Sequence, residues 1–548
     1  MGDVLAVHSW CSYAVQSRGK AEQVDVVDEW TGRRAALLRR ALRLTNERFA
    51  ERLGTAIRTV AKWNAEPAMV PTPDMQHALD TLLTQSSDGA KARFAMLLTS
   101  EIGIDDGSAL ATPREATAAE LRLAADRNIG AALDWLDRAA GWSPGTARIR
   151  VATRLDDADP RALQDRGHGR GRVRQRVIAE ALGAYYGQSG DYRPYAARTE
   201  SGSLVTSILT RPDWLDLSLP LDTDGLRFAP ATEVLPEVDA AAGAAAVQRL
   251  AEVLTLNMML VNAPIYRLTE VEASSTGLSG TVALADFVGY ALTMDLLENE
   301  LIDALAEGRP VTPGHLPLRD RHLPDVAAVC GIGRRLCAGG PLALTAIARP
   351  GGRRRQGGDY LLLVQERSGR VLNSSRRLAV IPKAFHEPLV DYGDDAAIGA
   401  TLEREMEEEL FGRTDVDSTS GEQRHADPMH PSRLSEPMRW LLDRLDGGHW
   451  RMECTGLGFN LVSGNYEFAS LIVIEDEEWW GRFGGSVEAN WESDTLRRYS
   501  SRDRGPLDAL AHDAAWSNEG LFALLQGFRR LAVVGGARTD LPAVEWEF

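Results

Sequence analysis

Residues 31–66 read TGRRAALLRRALRLTNERFAERLGTAIRTVAKWNAE, and the punctuation of this stretch decides how the first part of the chain folds. Thr45 stands just before NERFAERL, where its side-chain oxygen can accept the free amide hydrogens of a helix start. Phe49, Ala50 and Leu53 follow at helical spacing and give that helix one apolar face. Gly54 marks its end, because glycine enters the left-handed conformation without a Cβ clash. Thr55 is the expected cap of the next helix, in which Val60 and Trp63 point one way and Arg58 and Lys62 another. With GRRAALLRRA ahead of them, the spacing predicts a run of short helices with a tight turn before the last.

The chemistry follows from that spacing. Arg58 and Lys62 lie four residues apart and share a face, with Ile57 and Thr59 beside them. A helix with such a face fits the major groove of DNA, where an arginine can donate two hydrogen bonds to a guanine edge and an isoleucine can touch a thymine methyl. Thr55, Arg33 and Arg34 complete the candidate DNA-binding set, the two arginines as contacts to any phosphate backbone. Between Gly32 and Glu66, nine Lys/Arg stand against three acids, a balance of +6. The whole chain is −17, so the remainder carries −23, and basic charge is concentrated in one small unit of an acidic protein. The joint pattern RFAERLGTAIRTVAKW resembles the lambda-repressor-like helix-turn-helix family of transcriptional regulators, in its actinobacterial form, over about residues 30–98. That resemblance implies an all-α DNA-binding domain, with double-stranded DNA as partner and a homodimer where the operator is palindromic.

A length of 548 residues calls for several domains. Four scattered cysteines (Cys11, Cys330, Cys337, Cys454) are too few for a disulfide framework and read as reduced thiols of a cytoplasmic protein. The most apolar run, VALADFVGYALTMDLL, is interrupted by Asp286 and Asp295, so no membrane partner is expected. The expected division is a poorly ordered lead-in at 1–29, a helix-turn-helix domain at 30–104, a mostly helical middle domain at 113–335 and an α+β domain at 340–548. DDGSALAT (105–112) reads as a linker, and Thr72 as the cap of a fourth helix. In the middle, AAELRLAADRNIGAALDWLDRAAG, AAAVQRLAEVLTLNMMLVNAP and VALADFVGYALTMDLLENELIDALAEG read as long amphipathic helices. RGHGRGRVRQR (166–176) reads as a solvated loop leading into a helix, with a glycine-rich anion-binding loop as its alternative.

From residue 342 the pattern changes to strands, then the helix AAIGATLEREMEEELFG, further strands, and a last helix from Ser517. On the first of these helices Glu405, Glu408 and Glu409 stand at i, i+3 and i+4, so their carboxylates share a face and repel unless a cation relieves them. Hard oxygen ligands of this kind suit Mg²⁺ or Mn²⁺. Residues 404–409, Arg-Glu-Met-Glu-Glu-Glu, resemble the core of the Nudix box, and the strand order over about 340–532 resembles the α/β/α Nudix fold. The resemblance implies metal on Glu405 and Glu409, with Glu408 as further ligand or catalytic base, and hydrolysis of nucleoside diphosphate derivatives by a metal-activated water. The family's paired glycines before the helix are missing here, and Glu387, 17 residues before Arg404, is the only nearby substitute for its upstream glutamate. With the recognition helix complete and the box incomplete, the leading expectation is a sequence-specific regulator whose Nudix-like domain senses a nucleotide-type ligand. The alternative is a Mg²⁺-dependent Nudix-type hydrolase with an accessory DNA-binding domain.

Overall fold

The computed structural model describes residues 30–97, 123 and 127–547, apart from short internal stretches of which 414–428 is the longest. The expected lead-in at 1–29 and linker at 105–112 lie outside the described residues, as do Arg43 and Cys11. The chain divides into two compact units, residues 1–114 and 115–548, and each is described by itself.

The small unit contains α1 (Gly32–Ala41), α2 (Asn46–Arg52), α3 (Ile57–Ala65) and α4 (Pro73–Thr84). Thr31 and Thr45 cap α1 and α2: each side chain accepts an amide hydrogen three residues on, from Arg34 and Arg48, at 3.3 Å. Gly54 takes φ +65°. There its amide donates to the Glu51 carbonyl at 3.1 Å and the Thr55 amide to Ala50 at 2.9 Å, the paired bonds that close a helix over a left-handed glycine. This corrects the role expected of Thr55. Its amide turns back to finish α2, so α3 starts only at Ile57. Thr72 precedes α4 as expected, but its side chain makes no capping bond, and Pro73 supplies the preset φ instead. The faces of these helices meet in one core that includes Trp30, Leu38, Phe49, Leu53, Val60, Trp63, Leu79 and Phe94. Each such burial contributes about 1.5–3 kcal/mol. Trp30 is fixed further by stacking on Phe94 and by donating to Asp80 at 2.7 Å.

The large unit is mixed α/β. It opens with α5 (Arg127–Ala139), α6 (Thr146–Asp156), α7 (Pro160–Arg172) and α8 (Gln175–Tyr186). Next come β1 (Arg193–Thr199), β2 (Gly202–Thr210), β3 (Leu219–Pro220), β4 (Gly225–Phe228), α9 (Ala240–Thr255), β5 (Pro264–Ser274) and β6 (Gly277–Asp286). Four helices follow: α10 (Phe287–Ala291), α11 (Leu296–Ala306), α12 (Pro317–His322) and α13 (Val326–Cys330). The last third holds β7 (Gly339–Arg349), β8 (Asp359–Arg367), β9 (Leu378–Val380), α14 (Ile398–Glu405), α15 (Glu436–Leu442), β10 (Trp450–Asn460) and β11 (Tyr466–Ile474). It ends with α16 (Glu477–Phe483), β12 (Ser493–Ser500), α17 (Arg504–Ala511), α18 (Asn518–Val534) and β13 (Glu545–Glu547).

One large sheet runs β12-β8-β7-β11-β10-β2-β1-β13, with β9 on β8 and β3 on β10; β11 and β7 pair in parallel. The helix α18 lies on one face over Leu342, Leu344, Ala469 and Leu471. Strands, a helix, strands and a last helix therefore occur in the expected order. The expected division between 335 and 340 does not. The strands β1 and β2 come from the region expected to be mostly helical, yet β2 pairs directly with β10 through Phe459–Leu209 and Asn460–Ile208. A continuous backbone ladder joins the two regions into one unit.

Two more expectations change. The run from Val282 begins as strand rather than helix, because β5 pairs with β6 along its length, Leu268 opposite Val282. Apolar periodicity does not separate a short buried strand from a buried helix segment. The segment at 166–176 is no loop: most of it belongs to α7, which starts at Pro160 and is capped by Asp159 accepting from Arg161 at 2.9 Å. Among the described residues no helix is long and apolar enough to cross a membrane. Cys330, Cys337 and Cys454 are free thiols, and burial pushes the Cys454 thiol up to about 12.

Candidate functional site

The helix α3 separates its two faces cleanly. Val60 and Trp63 are each only 2 % exposed and belong to the core of the small unit. On the other side of the helix Ile57, Arg58, Ala61 and Lys62 are exposed, Ile57 by 50 %. These four positions form one outward strip, because residues three and four apart share a helix face. Ile57, at the start of that strip, leaves an aliphatic side chain exposed to solvent. Arg58 and Lys62 stand about one helical turn apart, roughly 6 Å along the axis, and neither forms an ion pair with any described residue. Thr59 is half-buried, its amide bonded to the Ala56 carbonyl at 2.8 Å. Arg33 is exposed on the first turn of α1, Arg34 is partly buried beside it, and both also have contacts within the chain. Thr55, Ile57, Arg58, Thr59 and Lys62 thus fall together at the turn and on α3, with Arg33 and Arg34 on a separate helix.

The carboxylate helix behaves differently. After α14 the chain widens into a π-helical turn over Met406–Leu410, which alters the i, i+4 relation that would align Glu405 with Glu409. Glu405 is 7 % exposed and accepts from the Arg404 guanidinium at 2.9 and 3.2 Å. Arg404 also donates to the Glu387 carbonyl at 3.2 Å. Burial alone would loosen the Arg404 proton, but Glu405, Glu387 and Glu408 outweigh it and raise its pKa above the ordinary arginine value. Glu409 is wholly buried and accepts the Lys383 amide at 2.8 Å. Glu407, also wholly buried, accepts from the amide and hydroxyl of Ser435 at 2.6 Å and from Arg413 at 3.1 Å. Glu408 is the partly exposed member of the set and has its own contact within the chain. Among the described residues no three His, Cys, Asp or Glu side chains gather as a metal would require. Of the expected Mg²⁺ or Mn²⁺ ligands, Glu405 is held by the Arg404 guanidinium and Glu409 by the Lys383 main-chain amide. The Glu387 stand-in is spatially next to Arg404 despite the 17 residues between them.

A second charged cluster draws its residues from distant parts of the chain. Lys383 reaches Glu519, in the first turn of α18, at 2.6 Å, and Asn460 donates to Glu519 at 3.2 Å and to Glu467 at 3.5 Å. Burial, with Glu519 close by, pushes the Glu467 carboxyl up to about 8 against the pull of Lys383 and Asn460. These residues come from β10, β11, α18 and the segment after β9, so no spacing along the chain links them. The signal available was Glu467 alone, an acid at the start of an otherwise apolar strand.

Set beside known proteins, the chain matches no family model, and no curated protein matches it. Its function is therefore argued from the geometry of its own side chains.

Proposed function

We propose that the chain binds double-stranded DNA in a sequence-dependent way through α3 and acts as a transcriptional regulator. One observation carries the reading: α3 buries Val60 and Trp63 while presenting Ile57, Arg58, Ala61 and Lys62 together to solvent. A helix held by one face, with a guanidinium, an ammonium and an aliphatic group free on the other, has the donors and apolar contact that a major-groove edge accepts. Arg58 is the base-reading residue in this proposal, Ile57 the methyl contact, and Lys62, Thr55, Thr59, Arg33 and Arg34 the surrounding and phosphate contacts. A palindromic operator would recruit the chain as a homodimer. Metal-dependent hydrolysis and nucleotide sensing are not proposed for the carboxylate helix, because Glu405, Glu407 and Glu409 are engaged by Arg404, Ser435, Arg413 and the Lys383 amide.

The test begins with selection of bound duplexes from a random pool. On the selected site, Arg58→Ala should lose about 1–3 kcal/mol and relax preference at one base position. Arg33→Ala with Arg34→Ala should weaken binding to every sequence and flatten its salt dependence. Retention of full affinity and preference by Arg58→Ala would show that α3 does not read the groove.

A further inference from the structure

Around Cys330, at the end of α13, the large unit gathers guanidinium groups without carboxylates. Arg211, just after β2, is half-buried, with its guanidinium carbon 4.8 Å from the centre of the Trp214 ring and 5.9 Å from that of Tyr192. Those two rings meet edge to face at 5.5 Å. Arg335 is buried behind them, 5.9 Å from the Phe459 ring, which packs on Trp214 at 5.5 Å. Its Nε and Nη2 both donate to the Val329 carbonyl, at 3.1 and 2.8 Å. Arg334 is exposed and lies over Gly331, where an added Cβ would come within 3.1 Å of its guanidinium. None of the three forms an ion pair with a described residue. The acids beside them in sequence, Asp191 and Asp213, are exposed and pair with none of them.

The Cys330 thiol does not supply the counter-charge. It is half-buried, bonded to the Tyr192 hydroxyl, and feels both Arg211 and Arg335. Burial nevertheless pushes it up to about 11, so it stays protonated at neutral pH. Cys337, the second thiol beside Arg335, is wholly buried and is raised by the same cause. A guanidinium drawn out of water without a counter-ion is unfavourable. In the same unit Arg170 meets Asp303 at 2.6 Å and Arg249 meets Asp295 at 2.9 Å. In a chain of net charge −17, acids are plentiful, yet none is paired here.

We propose that Arg211, Arg334 and the Tyr192 hydroxyl, with the charge of Arg335 behind them, bind the phosphate group of a small molecule over Cys330. The planar fork of arginine matches phosphate oxygens in pairs, and stacking on Trp214 holds the Arg211 fork in one orientation. Several positive charges favour a dianion over a monoanion. All these residues belong to the large unit, so the site stands independently of the DNA reading of α3.

The experiment uses the full chain and alkylation of Cys330 by a neutral maleimide, read peptide by peptide by mass spectrometry at fixed pH and ionic strength. This readout is local, so phosphate bound on the basic face of α3 does not enter it. The buried Cys337 and Cys454 serve as internal references for an intact fold. Inorganic phosphate and glycerol phosphate are the probes, with acetate as the monoanion. Phosphate should slow Cys330 alkylation about tenfold at about ten times its half-protecting concentration, as expected for one bound ligand. Stronger protection by glycerol phosphate would assign the site to an organic phosphate, and stronger protection by inorganic phosphate to the free ion; both uphold the proposal. Arg211→Met should abolish protection, measured as the ratio of rates with and without phosphate. Arg211→Lys, which keeps the charge without the fork, should retain part of it. Arg334→Met, at an exposed position, should weaken protection in a chain that melts like wild type, and covers the case in which Arg211→Met does not fold. An unchanged Cys330 rate in phosphate overturns the proposal. So does full protection in the Arg211→Met/Arg334→Met double variant, or equal protection by acetate.

Discussion

Two charged helices of this chain, α3 and the carboxylate helix α14 with its π-helical extension, use their charges in opposite ways. On α3 the cations face solvent, while Val60 and Trp63 fill a core with Trp30 and Phe49. On the carboxylate helix the acids face inward, and each buried one is met by a donor of the same chain: Arg404 for Glu405, Ser435 and Arg413 for Glu407, the Lys383 amide for Glu409. Spacing alone had made both helices look like ligand sites. The difference lies in what surrounds them, because a carboxylate in a low-dielectric interior has to be paired, whereas an exposed arginine does not. A run of like charges is thus evidence for a ligand only where the fold has left those charges unmatched.

The comparison breaks if the inward acids are not structural. Replacing Arg404 by Met leaves the Glu405 carboxylate buried without its guanidinium, and stability should fall by about 3–5 kcal/mol. Adding Glu405→Gln in the same chain should recover part of that loss, since the orphaned charge is then gone. Denaturant midpoints of the single and double variants measure both, and a loss under about 1 kcal/mol for Arg404→Met would mean the pair does not hold the helix.

The cluster around Glu467 sharpens the same point through pH. Its folded-state pKa of about 8 lies above the ordinary glutamate value of 4.5. Between those values the folded chain keeps a proton that the unfolded chain has released, so stability should decline as pH rises through that window. It should be independent of this group below the window. The slope is at most about 1.4 kcal/mol per pH unit. Glu467→Gln should flatten it, as read from denaturation at mildly acidic and mildly alkaline pH. A stability that rises with pH over that window in wild type and not in the variant would reverse the assignment.

The smallest effect is expected on the other side of the comparison. Arg58→Ala and Lys62→Ala should each change folding stability by less than about 0.5 kcal/mol, because both side chains are exposed and neither forms an ion pair with a described residue. Thermal melts of the two variants check this directly. A large destabilisation would show that the outward strip of α3 serves the fold after all.

Much of the small unit was legible in its residues. The cap at Thr45, the glycine stop at Gly54 and the spacing of Phe49, Val60 and Trp63 are local signals, and local hydrogen bonding and sterics obey them. Thr55 was misread because a cap and a closing amide look alike until the carbonyl of Ala50 is in view. In the large unit the main strands and helices of the last third were visible as periodic runs. The capping Asp159 and Pro160 were present as a start signal for α7 but were outweighed by the glycines that follow.

By itself, the amino-acid sequence determined where α2 starts and stops, which residues of α3 share a face, and where the basic charge is concentrated. These depend on neighbours within one or two turns. Tertiary structure alone decided that β2 joins β10, that residues 115–548 form one unit, and that Glu409 and Glu519 meet opposite ends of Lys383. Those outcomes depend on backbone ladders and buried ion pairs between residues scores of positions apart. The free energy of such contacts is set by the interior they create, and no spacing along the chain records it.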